Sequence, residues 1–186
     1  MRIISGKFKG KSINFIKNLN TRPLKDLVRE NIFNILKHSK DININVEKAL
    51  ILDLYSGVGS FGIECLSRGA NKVTFVEHDR KAVSILKDNL MNLSITNKAD
   101  VYNIKVEQIF EKRLKEKYHI FFFDPPFKDE KFSQYLDCIK KEKIFKKKHI
   151  IIIHREKKTN DDLNSKIKIV KEKIYGRSKI IFGVFS

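Results

Sequence analysis

The residues that point most directly to chemistry form the tetrapeptide Asp124-Pro125-Pro126-Phe127. It follows an apolar run, 118–123, that is typical of a buried parallel strand. The two prolines fix two φ angles and donate no backbone hydrogen bond, so they predict a rigid elbow. The Asp124 side chain and the carbonyls of Asp124 and Pro125 are then free to accept hydrogen bonds, and Phe127 supplies a flat face. Acceptors beside an aromatic ring suit a planar base that carries an amino group.

A glycine-rich loop supplies a second chemical feature. An apolar run at 49–55 predicts another buried strand, and residues 56–62 follow it with the spacing G-x-G-x-x-G, opening a predicted helix at 60–68. This spacing alone is weak evidence, because dinucleotide-binding proteins share it. Glu77 ends the next apolar run, where a carboxylate can bind the hydroxyls of a ribose.

Alternating strands and helices must position these residues. Strands are predicted at 49–55, 72–77, 99–104, 118–123 and 149–154, which indicates a parallel sheet with helices on both faces. Residues 166–175 and 179–185 flank a turn at 176–178 and predict a terminal antiparallel hairpin. Because ligands bind beyond the carboxyl ends of parallel strands, the glycine loop, Glu77 and Asp124 should share one cleft.

The N-terminal region differs from this alternation. Residues 2–16 predict a short basic β-hairpin, and residues 22–37 predict a helix. We therefore expect an extension at 1–46 ahead of a main domain at 47–186. The predicted apolar face of the helix consists of Leu24, Leu27, Val28, Ile32, Ile35 and Leu36.

These motifs together carry a family resemblance. Asp53-Leu-Tyr-Ser-Gly-Val-Gly59, Glu77 and Asp124-Pro-Pro-Phe127 resemble S-adenosylmethionine-dependent methyltransferases that act on exocyclic amino groups. The chain is further similar to the RsmD family of 16S ribosomal RNA guanine-N2 methyltransferases, from residue 2 to about residue 127. The segments that carry this closer resemblance are Arg2–Lys11, Thr21–Pro23, Val28–Asn34 and Glu64–Ala70.

The resemblance implies a fold and a set of roles. The fold is a Rossmann-like class I methyltransferase, an α/β architecture with a mostly parallel seven-stranded sheet, a C-terminal antiparallel hairpin and a small N-terminal extension. The implied cofactor is S-adenosylmethionine, and the implied partner is the small ribosomal subunit or its 16S rRNA. The catalytic candidates are Asp124, Pro125, Pro126 and Phe127; the cofactor candidates are Asp53, Tyr55, Ser56, Gly57, Gly59, Glu77, His78 and Asp124; the RNA candidates are Arg2, Lys7, Lys9, Lys11, Arg22 and Arg29.

Some of these residues have an equally plain structural interpretation. Arg22 and Arg29 could pair with acids on their own helix or line the cleft. Asp53 could bond backbone amides of its own loop and also serve the cofactor. Lys105 stands where many relatives carry an acid near the cofactor adenine, so we nominate no side chain for that contact; backbone groups near Lys105 and Val106 could serve.

Composition bounds the function further. The formal charge of +17 favours a polyanionic partner such as RNA, although a lysine-rich composition is also what an A+T-rich genome imposes. The basic run at 140–148 is interpreted as a solvated loop. Cys65 and Cys138 suggest a reducing compartment without a disulfide or a zinc site. We expect a cytoplasmic monomer with no membrane segment and no metal.

Two other functions fit the same motifs. Asp-Pro-Pro-Phe also serves enzymes that methylate the N6 amino group of DNA adenine, although 186 residues leave little room for a DNA-reading domain. A non-catalytic RNA-binding assembly factor could keep the fold. The intact glycines and acids argue against that function, because they would then have no task.

Overall fold

The computed structural model describes residues 1–15, 24, 26–112 and 114–186. Within these residues, five α-helices accompany seven β-strands, and no helix is long and apolar enough to cross a membrane. The helices are α1 Asp26–His38, α2 Ser60–Ser67, α3 Arg80–Asn92, α4 Val106–Glu111 and α5 Gln134–Glu142, and the strands are β1 Leu50–Leu54, β2 Lys72–Glu77, β3 Ala99–Asn103, β4 Tyr118–Phe123, β5 Phe145–Glu156, β6 Lys168–Tyr175 and β7 Ser178–Val184.

The described strands form one sheet in the order β3-β2-β1-β4-β5-β7-β6. The first five strands in this order run parallel, whereas β7 lies antiparallel between β5 and β6. The strand order reverses between β1 and β4, and the crevice at such a reversal is where open α/β sheets bind ligands. The predicted fold class, with its C-terminal antiparallel hairpin, is confirmed.

The sheet is buried on both faces, which explains why its central strands are continuously apolar. Adjacent residues of β4 belong to different core clusters: Ile120 packs on one face with α1, α2 and α3, and Phe121 packs on the other with α4 and α5. On the first face the Phe61 ring stacks on Phe122 at 4.0 Å and on Phe33 at 5.3 Å. This stack ties α1 and the glycine-loop helix α2 to the central strand.

Two sequence predictions need correction. Residues 140–148 are not a loop, because α5 continues to Glu142 and β5 begins at Phe145. Phe145 pairs with Tyr118 of β4, and its ring packs on the ring of Phe185. Leu27 is 63 % exposed, because the buried stripe of α1 is displaced onto the face that contains Arg29 and Phe33.

The N-terminal segment folds back on itself in the outline of a hairpin. Ile3 N–H donates to the Lys11 carbonyl at 2.9 Å, but the extended pairing is a single bridge rather than two strands. The turn docks on the end of α2, where Lys7 N–H donates to the Ser67 carbonyl at 2.7 Å. Gly6, at φ +82°, makes this docking possible, because a Cβ there would lie 1.9 Å from the same carbonyl oxygen.

Candidate active site

The carboxyl ends of three neighbouring strands bring the predicted cofactor and catalytic residues together. β1 lies between β2 and β4, and Asp53 is in register with Phe75 on one side and Phe122 on the other. The chain leaves these strands at Tyr55, His78 and Asp124. The shared cleft that the sequence predicts therefore has its structural basis at this edge of the sheet, which we call the carboxyl edge.

The glycine loop after β1 presents polar atoms that lack partners. Asp53 Oδ2 accepts a hydrogen bond from Gly62 N–H at 3.0 Å, which holds the loop against the start of α2. Asp53 Oδ1 and Ser56 Oγ are buried and have no hydrogen-bond partner among the described residues. A Cβ at Gly57 would meet open space, so the backbone there is accessible to a ligand. Buried polar atoms without partners are rare in folded proteins and fit a polar ligand that binds at this loop.

Glu77 supports the same loop from β2. Its Oε2 accepts a hydrogen bond from Gly57 N–H at 2.9 Å, and its Oε1 accepts one from Asp79 N–H at 2.8 Å. Nδ1 of the exposed His78 ring also lies 3.1 Å from Oε1. Oε2 accepts from one donor among the described residues and keeps a second lone pair, so these contacts orient Glu77 while leaving Oε2 able to accept from a hydroxyl group.

Tyr55 links the glycine loop to the loop after β4. Its backbone has φ +60°, which is unusual for a bulky residue, and its hydroxyl donates to Asp129 Oδ2 at 2.8 Å. Asp129 in turn donates its N–H to the Pro126 carbonyl at 2.8 Å. Burial and the neighbouring Asp129 raise the pKa of Tyr55, so the hydroxyl stays protonated as a donor. The two candidate loops are thus one connected unit.

Asp124 is held by residues that the sequence analysis did not single out. Asp124 Oδ1 lies 2.7 Å from His154 Nδ1, and His154 Nε2 lies 2.9 Å from Ser178 Oγ. The Phe127 ring meets the His154 ring edge-on, with centroids 5.8 Å apart. Among the described residues, neither Asp124 Oδ2 nor the Pro125 carbonyl accepts a hydrogen bond.

The other carbonyls of the loop are occupied by Arg155. Its Nη1 donates to the Pro126 carbonyl at 3.0 Å and its Nη2 donates to the Phe127 carbonyl at 3.1 Å. The guanidinium also forms two hydrogen bonds with Asp161, at 2.9 Å each, and lies 4.6 Å from the centre of the Phe132 ring. Arg155 therefore fixes the shape of the elbow and leaves the acceptors at its start, Asp124 Oδ2 and the Pro125 carbonyl, free.

The carboxyl edge is acidic within a strongly basic chain. Burial raises the pKa of Asp53 well above its usual range, and the charges of Asp124 and Glu77 raise it further. The neutral form of Asp53 is therefore favoured. The negative charge that complements a cationic ligand at this edge comes from Glu77 and Asp124.

The predicted RNA candidates divide into three groups. Arg2, Lys7, Lys9 and Lys11 are exposed, and Lys7 and Lys11 each lie 5.5 Å from the Phe8 ring. Their turn docks on the last residues of α2, which begins at the carboxyl edge and runs away from it. Arg22 lies outside the described residues.

Arg29 forms the third group and is removed from the candidate RNA surface. It is 0 % exposed, and its Nη2 donates to the Arg2 carbonyl at 2.6 Å and to Asp26 Oδ1 at 3.0 Å. Its Nε lies 3.8 Å from Glu64 Oε2. Arg29 therefore fastens the N-terminal segment to α1 and α2.

One of the backbone groups proposed for the adenine already has a partner. Lys105 is exposed and precedes α4, but its backbone N–H donates to Gln108 Oε1 at 3.0 Å. That amide is therefore already used. Asn103, at the end of β3, donates to the carbonyls of Glu77 and His78 at 3.0 Å each and shapes the turn after β2.

Sequence analysis missed His154, Arg155, Asp129 and Ser178 as supports of the site. One signal could have found two of them: His154 and Arg155 lie at the carboxyl end of a predicted strand, the end at which ligands bind in parallel sheets. Asp129 and Ser178 lie in turns and have no such signal.

Comparison with known proteins points to one family. The family model described as conserved hypothetical protein 95 matches residues 1–184. Ribosomal RNA small subunit methyltransferase D of Buchnera aphidicola (subsp. Baizongia pistaciae) is 37 % identical over 161 residues, covering 86 % of this chain and 78 % of its own. YlbH of Bacillus subtilis, provisionally named an rRNA methyltransferase, is 34 % identical over 159 residues, covering 84 % of this chain and 83 % of its own.

Solved structures agree on the fold. A provisionally named methyltransferase of Escherichia coli, yhhF, superimposes with a TM-score of 0.81 at 24 % identity, over 100 % of this chain and 98 % of its own. A second methyltransferase structure, complexed with SAH, the demethylated product of S-adenosylmethionine, superimposes with a TM-score of 0.62 at 15 % identity, over 84 % of this chain and 49 % of its own. The fold is that of the class I, S-adenosylmethionine-dependent methyltransferases.

Proposed function

Because the chain belongs to the conserved hypothetical protein 95 family, we propose that it transfers a methyl group from S-adenosylmethionine to the exocyclic N2 amino group of a guanine in 16S ribosomal RNA. The named relatives are rRNA methyltransferases of two kinds, RsmD and YlbH, and the proposal assigns this chain to the RsmD kind. Its substrate is the small ribosomal subunit or its 16S rRNA, on which it acts as a cytoplasmic monomer.

The carboxyl edge provides the cofactor site. S-adenosylmethionine supplies an electrophilic methyl group on a positively charged sulfur. The carboxylates of Glu77 and Asp124 favour such a cation. Glu77 is oriented to accept from the ribose hydroxyls, and the atoms without partners, Asp53 Oδ1 and Ser56 Oγ, are available to the polar end of the ligand. Gly57 lets the ligand approach the backbone closely.

One observation supports amino-group chemistry above all others: within the described part of the chain, Asp124 Oδ2 and the Pro125 carbonyl accept no hydrogen bond, and they lie in the same elbow as Phe127. The lone pair of a guanine amino group is delocalised into the ring and is a poor nucleophile. Two acceptors can hold its hydrogens and turn the lone pair out of that conjugation, while Phe127 stacks on the base. Positioning and preorganised electrostatics then supply the rate enhancement, without a covalent intermediate. The base must leave its stack to reach the pocket.

The exposed basic residues of the N-terminal segment are proposed to bind the RNA backbone. Arg2, Lys7, Lys9 and Lys11 present side chains suited to phosphate contacts, whose affinity arises from the release of counterions. Since their turn docks toward the far end of α2, they would contact RNA at a distance from the modified base.

The test is nucleoside mass spectrometry on small ribosomal subunits from a strain that lacks this protein. The subunits are incubated with S-adenosylmethionine and the wild-type chain, Asp124→Ala, or Asp137→Ala as a matched control on the exposed side of α5. We expect N2-methylguanosine with wild type and Asp137→Ala, and a loss of about 100-fold or more in rate with Asp124→Ala.

Other outcomes would redirect the assignment. Methylation of adenine in DNA, but not of guanine in RNA, would identify the DNA enzyme. Binding of S-adenosylmethionine, measured by calorimetry, without methylation of either nucleic acid would sink the ribosomal assignment. Absence of cofactor binding would leave only the non-catalytic RNA-binding protein.

A further inference from the structure

Among the residues that the structure describes, the imidazole of His154 is the one buried titratable side chain that hydrogen-bonds the proposed catalytic carboxylate. It is 7 % exposed, and both ring nitrogens contact side chains rather than backbone: Nδ1 lies 2.7 Å from Asp124 Oδ1, and Nε2 lies 2.9 Å from Ser178 Oγ. We propose that His154 is a positioning residue, which holds one oxygen of Asp124 so that the other is aimed at the target amino group. The inference rests on the proposed function, because it concerns the same carboxylate.

The hydrogen-bond chemistry fixes the direction of each contact. An ionised Asp124 only accepts, so His154 Nδ1 must carry the hydrogen and donate it. In the neutral ring Nε2 then has a free lone pair, and the Ser178 hydroxyl can donate to it. The Ser178 hydroxyl thus fits the tautomer that Asp124 requires. The result is a directed chain from the Ser178 hydroxyl through the imidazole to Asp124.

This chain removes the rotational freedom of the carboxylate. With Oδ1 bound, Asp124 cannot rotate about its Cβ–Cγ bond without breaking a short hydrogen bond, so Oδ2 keeps one orientation. The same ring meets the Phe127 ring edge-on. One imidazole therefore contacts both proposed base-reading groups, the acceptor that reads the edge and the aromatic ring that stacks on the face.

The support comes from the rigid part of the fold. His154 lies in β5 opposite Ile180 of β7, and Ser178 begins β7 opposite Glu156. The antiparallel pairing of β5 with β7 thus fixes His154 and Ser178 relative to each other. A site held by sheet residues keeps its geometry better than one held by loop residues alone.

Two substitutions separate positioning from simple packing. In His154→Asn the side-chain amide nitrogen lies near the place of Nδ1 and can still donate to Asp124. In His154→Gln the amide extends to the place of Nε2 and reaches Ser178 instead. If His154 positions Asp124, kcat for RNA methylation falls by about 100-fold in His154→Gln and stays within a few-fold of wild type in His154→Asn. The KM for S-adenosylmethionine should change in neither.

His149 provides the matched control on the same strand. It is equally buried, but its ring nitrogens bond only backbone groups and its ring packs on Phe145 and Phe185, so His149→Gln should lower the melting temperature without changing kcat of the folded enzyme. Equal activity of His154→Asn and His154→Gln, whether both are lost or both are retained, would overturn the proposal.

A second measurement does not depend on activity. Nitrogen-15 NMR of labelled histidine should show the His154 ring with hydrogen on Nδ1, and with Nε2 bare and accepting a hydrogen bond that disappears in Ser178→Ala. A ring with hydrogen on Nε2 and a bare Nδ1 would refute the contact with Asp124. If the wild-type chain methylates no RNA, the proposed function fails, while this spectrum still decides the role of His154.

Discussion

Strand β5 carries two buried histidines, and their ring nitrogens have different kinds of partner. His149, in the first half of the strand, lies 2.9 Å from the Lys146 carbonyl and accepts the Phe185 N–H at 2.9 Å. His154, near the end, contacts the side chains of Asp124 and Ser178. An imidazole bound to backbone completes a scaffold, whereas one bound to a carboxylate directs that carboxylate. Burial, at 7 % exposure for both, does not distinguish them.

The contrast extends to the two edges of the sheet. On the amino side, polar groups satisfy one another: the Thr74 and Tyr118 hydroxyls lie 3.0 Å apart, and Leu50 N–H donates to His119 Nδ1 at 3.1 Å. On the carboxyl side, Asp53 Oδ1 and Ser56 Oγ are buried without partners among the described residues. A buried polar atom without a partner at a ligand-binding edge is explained when a polar ligand supplies that partner.

Arg155 most strongly tests the contrast between the two sides of the sheet. It lies at the carboxyl edge, but its hydrogen-bonding groups are paired within the protein. It is 1 % exposed and pairs with Asp161 while holding two carbonyls of the elbow. Arg155→Ala leaves a buried carboxylate unpaired, so we expect the free energy of unfolding to fall by about 3–5 kcal/mol. Urea denaturation measures this loss. The control Arg177→Ala, at an exposed ion pair with Glu156, should cost at most about 1 kcal/mol. Similar losses in both variants would contradict a structural role for Arg155.

A substitution at Glu77 tests whether the carboxyl edge binds the cofactor. Glutamine can accept at only one of the two positions that Gly57 and Asp79 now use, and it removes the negative charge. We expect Glu77→Gln to weaken S-adenosylmethionine binding by about 10- to 100-fold, since hydrogen bonds to charged groups contribute about 1.5–3 kcal/mol. Isothermal titration calorimetry tests this, with Glu172→Gln on the exposed side of β6 as control. Unchanged affinity in Glu77→Gln would remove Glu77 from the cofactor site.

The smallest expected effect is on the pH dependence of stability, through two histidines on the amino side of the sheet. Burial lowers the pKa of His149 below its ordinary 6.5, and burial also lowers the pKa of His119. Above 6.5 both histidines are neutral in folded and unfolded chains, so their contribution to stability is complete. As the pH drops below 6.5, these histidines bind protons more readily in the unfolded chain than in the folded one. The free energy of unfolding therefore decreases as the pH is lowered.

Urea unfolding at pH 7.5 and pH 5.5 tests this sign. The loss of stability between the two pH values should be smaller in His149→Gln than in wild type, since the variant cannot titrate at that position. The same substitution at the exposed His38 should leave the loss unchanged. A larger loss in His149→Gln would show that its pKa is raised rather than lowered.

Much of the fold was predictable because its strands are apolar on both faces. The runs at 72–77 and 118–123 match β2 and β4 residue for residue. β5 was predicted too short because Lys146, Lys147 and Lys148 interrupt the apolar pattern, although the strand continues through them. Because the side chains at this end of the strand are exposed to solvent, they show no hydrophobic periodicity from which a strand could be predicted.

The site was predictable where its residues belong to local motifs. The glycine loop, Glu77 and Asp124 each end a recognisable strand, and the structure brings them to one edge. Of the two interpretations left open for Arg29, the structure shows the pairing with an acid of its own helix, Asp26. Its burial was not predictable, because no local pattern shows Glu64 and the Arg2 carbonyl beside it. His154 and Ser178 lie 30 and 54 residues beyond Asp124 (154 − 124 and 178 − 124), and no spacing rule connects them.

The antiparallel ladder between β5 and β7 also decides when the site can become complete during synthesis. A ribosome releases the N-terminal end first, so β1, the glycine loop and Glu77 emerge while β7 is still being made. The elbow at Asp124 emerges before His154, Arg155 and Ser178 exist to hold it. The elbow can therefore gain its link through His154 to Ser178 only when β7 has paired with β5.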